Sequence, residues 1–147
     1  MSRIPLIKIA YNMIKEHPIV GVGTNTYSSV IHQYTNAPDL KGIYLAQVHN
    51  QYLLVFAEAG LIGIISFLWL MLGLFKTAAS CISSEHPDND IVYLGIGILL
   101  ALIYISIHMM VDMYNGYILL ANIFVLGSLA TAGNRLSNED SGGNQAE

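Results

Sequence analysis

The sequence predicts an all-α, polytopic membrane protein, with three C-terminal transmembrane helices preceded by a more polar segment that carries an amphipathic helix. Three observations carry this expectation. The chain is 54% hydrophobic and only 11% charged, with a mean hydropathy of +0.52, whereas soluble domains hold about 25% charged residues. The charges also avoid long runs: residues 53–75 hold one, Glu58, and neither 91–111 nor 117–133 holds any. Apolar runs of about 17–25 residues are long enough to cross a bilayer as helices. Finally, the polar, Pro- and Gly-containing stretches fall between these runs, which sets the element boundaries.

Residues 1–51 form the polar leading segment. Ser2 and Pro5 fit a helix start, because proline is tolerated in a first turn that does not need its N–H. Ile4, Ile7, Tyr11 and Ile14 then recur at helical spacing, with Arg3, Lys8, Asn12 and Lys15 mostly elsewhere on the wheel, so an apolar face is expected to lie on a membrane surface or against other helices. Pro18, Gly21 and Gly23 end this helix and turn the chain. Residues 24–46 are mixed; Tyr27, Tyr34 and Tyr44 supply interfacial aromatics among short helices and loops. The membrane domain, 52–133, comprises the three spans, joined by a loop at 76–90 and a tight turn at 112–116. Asn89 or Asp90 caps the second span. The tail, 134–147, is rich in Ser, Gly, Asn and acid and is expected to be disordered.

Composition also excludes several functions. A net charge of −4 without a basic cluster argues against nucleic acid as a partner. The single cysteine, Cys81, excludes an internal disulfide and a cysteine metal centre, and offers one native thiol for topology labelling. Gly21-Val22-Gly23 lacks the preceding strand, third glycine and lysine of a phosphate loop, so it reads as a turn. His108 and Asp112, spaced i, i+4, share a helix face and suit a hydrogen bond at the membrane edge; two ligands do not make a metal site. Asp88-Asn89-Asp90 has the form of a metal-binding Asp-x-Asp, but helix capping explains it better. No cofactor and no metal are expected.

His49 is the strongest candidate for chemistry. Imidazole accepts a proton near neutral pH without extreme tuning, and this one stands at the mouth of the first span. On the residues alone, a cap for the following helix remains open. Asn50 suits orientation of the imidazole, substrate binding or capping, with capping favoured. Arg3 offers a planar fork of donors that binds phosphate oxygens in pairs, while Lys8, Lys15 and Lys41 add attraction for an anionic headgroup. Glu58 is a carboxylate near the start of a span, which needs a partner or water. Nine residues of unbroken helix put it on the opposite face from His49, so helix packing is its expected role unless the helix breaks near Gly60.

The order of these residues matters as much as their identity. Val48-His49-Asn50-Gln51-Tyr52-Leu53-Leu54 runs through Glu58-Ala59-Gly60-Leu61-Ile62-Gly63 into the first span, with Arg3 and His17-Pro18-Ile19-Val20-Gly21-Val22-Gly23 upstream. The arrangement resembles the C-terminal part of the O-antigen ligase/polymerase family, over residues 3–130 or thereabouts. These are membrane glycosyltransferases acting on the outer face of the bacterial inner membrane. The resemblance implies a donor glycan on a polyprenyl pyrophosphate, and a glycan, lipid or protein hydroxyl as acceptor. It also implies His49 as base, Arg3 on the pyrophosphate, and residues 1–51 as an extracytoplasmic loop. The positive-inside count opposes that sidedness, with Arg3, Lys8, Lys15 and Lys41 set against Lys76 and Arg135. Earlier helices usually fix orientation, and family members have more of them, so the chain is expected to be the end of a longer protein. The alternatives are a polysaccharide polymerase of the same family, and a non-enzymatic transport or assembly subunit or inactive remnant.

Overall fold

The computed structural model describes residues 3–35, 48–83, 89–114 and 116–143. Its elements are α1 (Arg3–Glu16), α2 (Tyr27–Val30), one 3₁₀ turn (Ile31–Tyr34), α3 (Gln51–Ser80), α4 (Asn89–Val111) and α5 (Gly116–Gly143). The protein is all-helical, and α3, α4 and α5 each contain a stretch long and apolar enough to cross a membrane. It is a multi-pass membrane protein by the composition of these helices. Two compact units are present: residues 1–69 with 108–114, and residues 70–107 with 115–147.

In the first unit, α1 buries Leu6, Ile9, Ala10 and Met13 against Tyr27, Ile31, Tyr34, Val48, Leu54 and Ala57. The spacing is helical, but the core is not built on the stripe read from the sequence, whose Ile4 and Tyr11 are 65% and 64% exposed and stay open to a membrane surface. The cause is legible: α1 carries apolar residues on two faces, and periodicity alone cannot choose between them. The core takes the face with Ala10, whose small side chain lets its neighbours approach. Tyr27 is buried, and its hydroxyl donates to the Leu6 carbonyl oxygen at 3.1 Å.

The helix α3 is broken at Gly60, where φ is 65° and ψ −162°. Straight helix would separate residues 52 and 67 by about 22 Å, yet the Tyr52 and Phe67 rings lie 6.0 Å apart in an edge contact. The loop after α1 repairs the break. In unbroken helix Leu61 and Ile62 would donate to Ala57 and Glu58, four residues back. Instead Leu61 donates to Pro18 (2.8 Å) and Ile62 to Ile19 (3.3 Å), while the carbonyls of Ala57 and Glu58 accept from Val22 and Gly23, each at 2.9 Å. These four backbone groups at the break are taken by residues 18–23, as burial away from water requires. Gly21 (φ 70°) and Gly60 both need left-handed backbone, and a β-carbon on either would collide with main chain of the other segment. The expected first span therefore divides. Residues 61–80 form an uninterrupted helix of about 30 Å, enough to span, and residues 51–59 form a shorter preceding one.

In the second unit, Met71, Ala78 and Cys81 are buried, as are Ile91, Ile98, Leu102 and Ile105 of α4, and Leu119, Ile123 and Ala130 of α5. Small residues allow the helices to meet: Gly95 faces Cys81 and Ile82, Gly127 faces Leu74, and Gly133 faces Leu94 and Cys81. Outward apolar side chains such as Leu72, Leu100 and Phe124 are the surface that lipid solvates. Helix α5 continues to Gly143, into the segment expected to be disordered. Asn134, Arg135 and Leu136 contain no helix breaker, and Gly142-Gly143 is the first strong stop.

Candidate active site

Three consecutive residues at the start of α3 grip the end of α4. Asn50 works at both ends of its amide: Oδ1 accepts from the Leu53 backbone N–H at 2.9 Å, capping α3, and Nδ2 donates to the Met110 carbonyl at 2.8 Å. Gln51, nearly buried, accepts from the Tyr114 N–H at 3.2 Å. His49 precedes them, and its Nδ1 lies 2.9 Å from Oδ1 of Asp112. The favoured capping role for Asn50 is thus the one its contacts perform.

Asp112 is held on its own side as well, since the same oxygen accepts from the Met113 N–H at 2.8 Å. The hydrogen bond from His49, then that from Met113, lowers its carboxyl pKa below the ordinary value of 3.8, and the charges of His49 and His108 act in the same direction. The ionised carboxylate can only accept, so Nδ1 carries a proton, and whenever the ring is neutral the lone pair is on Nε2. The pair is half exposed, at 45% for His49 and 47% for Asp112. A tautomer fixed in this way, with Nε2 bonded to no described residue, is the arrangement a general base needs.

His108, expected to share a face with Asp112, packs its ring on Tyr114, centroids 4.8 Å apart, and its backbone carbonyl accepts from the Asp112 N–H at 2.9 Å. Glu58 also finds unexpected partners. Its Oε2 accepts from the Asn25 N–H and its Oε1 from the Tyr27 N–H, each at 2.9 Å.

Arg3 is the first residue of α1, and Lys8 and Lys15 are exposed on the same helix. Lys41 and Asp88 lie outside the described residues. Among the described residues no three His, Cys, Asp or Glu side chains cluster as metal ligands would. Sequence reasoning missed Asp112 as the partner of His49. The signal was available: two successive spans return the chain to its starting face, so a residue just before the first and one just after the second share a boundary.

The segment that holds His49, its capping residues, α1 and the Gly60 break is also the segment with a known likeness: residues 1–68 match the family model described as O-antigen ligase. The match covers the first 68 of the 147 residues. No curated protein and no solved structure matches the chain. The matched segment thus includes His49 and Glu58, while Asp112 lies beyond the matched residues and joins the site through the fold.

Proposed function

We propose that the protein works at the bacterial inner membrane, with residues 1–51 on the extracytoplasmic side, in transferring a glycan from a polyprenyl pyrophosphate to an acceptor hydroxyl on a glycan, lipid or protein. The 2.9 Å contact between His49 Nδ1 and Asp112 carries this reading. Nε2 of His49 takes the proton of the acceptor hydroxyl as its oxygen bonds to the anomeric carbon. The bond from that carbon to the phosphate oxygen breaks, and the polyprenyl pyrophosphate leaves with the electron pair. Attack from the face opposite the leaving group inverts the carbon. The leaving group needs charge neutralisation more than a proton, and Arg3 supplies paired donors, with Lys8, Lys15 and Lys41 adding field. Asn50 serves the site by fixing the mouth of α3.

The test is transfer in a strain lacking its own ligase, scored as lipid-linked donor against acceptor-linked glycan, with membrane abundance followed by immunoblot. His49→Ala lowers transfer by roughly 10²- to 10⁴-fold, the usual effect of removing a general base, with normal abundance. Arg3→Lys also fails substantially, because an ammonium offers no paired fork. Normal transfer by His49→Ala would end the catalytic assignment and leave His49 as an anchor of the α3–α4 junction.

A further inference from the structure

We infer that Glu58 is a positioning residue for the donor, holding α1 and its basic residues in register with the helix that His49 opens. The inference rests on the reading that α1 meets the pyrophosphate. Glu58 is the only charge in residues 53–75, where a carboxylate is costly and is kept for a reason. Among the described residues neither of its oxygens is bonded to a cation or to His49. Both are spent on main chain, one on Asn25 and one on Tyr27.

The turn so held is one the chain does not adopt readily. Asn25 is the one described non-glycine residue with positive φ, 59°, a conformation that asparagine tolerates better than most. Thr26 closes it from within, its hydroxyl lying 3.0 Å from the Val22 carbonyl and 2.6 Å from that of Gly23. Directly after this turn comes Tyr27, whose phenol runs through the core to the Leu6 carbonyl of α1. A single residue therefore links α3 to α1: Glu58 holds its main chain, and its side chain holds the helix that starts at Arg3. In the other direction, residues 51–59 lead from Glu58 back to the Asn50 cap and His49. A shift at the turn is passed to the cationic helix and leaves the His49–Asp112 pair in place.

Glu58→Gln separates this role from folding. The amide accepts one backbone N–H and turns its own N–H₂ towards the other, so one bond is lost, while the main-chain exchange across Gly60 remains. The measurement is equilibrium binding of a polyprenyl pyrophosphate, without acceptor, to the full chain in detergent, alongside donor KM and kcat in membranes. Glu58→Gln is expected to weaken binding and raise donor KM by about tenfold, the worth of a charge-assisted hydrogen bond, with kcat nearly unchanged. Hydrogen exchange at Asn25 and Tyr27 should quicken in the same variant. Tyr27→Phe, which removes only the tie to Leu6, is expected to move binding in the same direction and decides the matter if Glu58→Gln folds poorly. Unchanged binding in folded Glu58→Gln, or a fall in kcat at constant KM, overturns the inference. His49→Ala should bind the lipid normally, so its transfer result judges the proposed base and the binding results judge Glu58.

Discussion

At the scale of the residue, the determining event is the pairing of His49 with Asp112. Asp112→Asn is nearly isosteric, yet its amide can donate to Nδ1 and so favour the tautomer with its proton on Nε2, which cannot act as base. Transfer should fall by roughly 10- to 10³-fold with donor binding retained, less than for a fully buried partner because water competes here. The carboxyl also sets an acid limit. Its folded pKa lies below the ordinary carboxylate value, so the pair contributes stability above that value and loses it as pH falls through the lowered one. An NMR titration should show the Nδ1 proton signal of His49 surviving until Asp112 protonates; loss well above the ordinary carboxylate pKa would mean that the pair does not persist in solution. The identity of His49 was plain in the sequence, since a histidine before an apolar run stands out. Its partner was not, because i, i+4 spacing offered His108 as a local choice and only the return of the chain through two spans brings residue 49 to residue 112.

At the scale of the element, the break in α3 governs the first unit. Gly60→Ala and Gly21→Ala each place a methyl against main chain where φ is positive. Each should destabilise by on the order of 2–4 kcal/mol, measured as denaturant unfolding in detergent, and loss of less than about 0.5 kcal/mol would show that the loop and helix are not interlocked in solution. Tyr27 sets an alkaline limit. Burial, and then the charge of Glu58, pushes its hydroxyl pKa above the ordinary value of 10.0. Its contribution is complete below that ordinary value and is lost as pH rises towards the folded one, so unfolding monitored by tyrosinate absorbance should be cooperative and lie above pH 10.0. Helix positions were legible from hydropathy and from Pro18, Gly21 and Gly23. The kink was signalled only by Gly60 and by a carboxylate two residues before it, and nothing local shows which segment fills it. The buried face of α1 was not legible either, since Ile4, Ile7 and Tyr11 make as good a stripe as Leu6, Ile9 and Met13.

At the scale of the whole molecule, residues 1–51 are expected outside and the 76–90 loop inside, and thiol labelling tests that orientation. Cys81 is a poor reporter, although it is the sole thiol: it is fully buried, its Sγ lies 3.3 Å from the Ala130 carbonyl, and burial raises its pKa. It should resist maleimide in intact and in permeabilised cells. Exposed positions do better. Ser29→Cys is expected to react with an impermeant maleimide in intact cells, and Ser83→Cys only after permeabilisation. The opposite pair of results would show that the lysine and arginine count, and not the family likeness, gives the orientation.

The exchange of hydrogen bonds at Gly60 bears on how the chain reaches this form. Alone in lipid, residues 51–80 have every reason to be one straight rod, because a bend with four unpaired backbone groups in hydrocarbon is too costly to persist. The bend becomes affordable only when residues 18–23 arrive to take those groups. These residues leave the ribosome before α3 does, so they are already waiting when it inserts. The sharpest feature of the membrane helix is thus a property of assembly: the insertion machinery meets an ordinary apolar stretch, and the shape that places His49 comes into being only when the earlier loop docks.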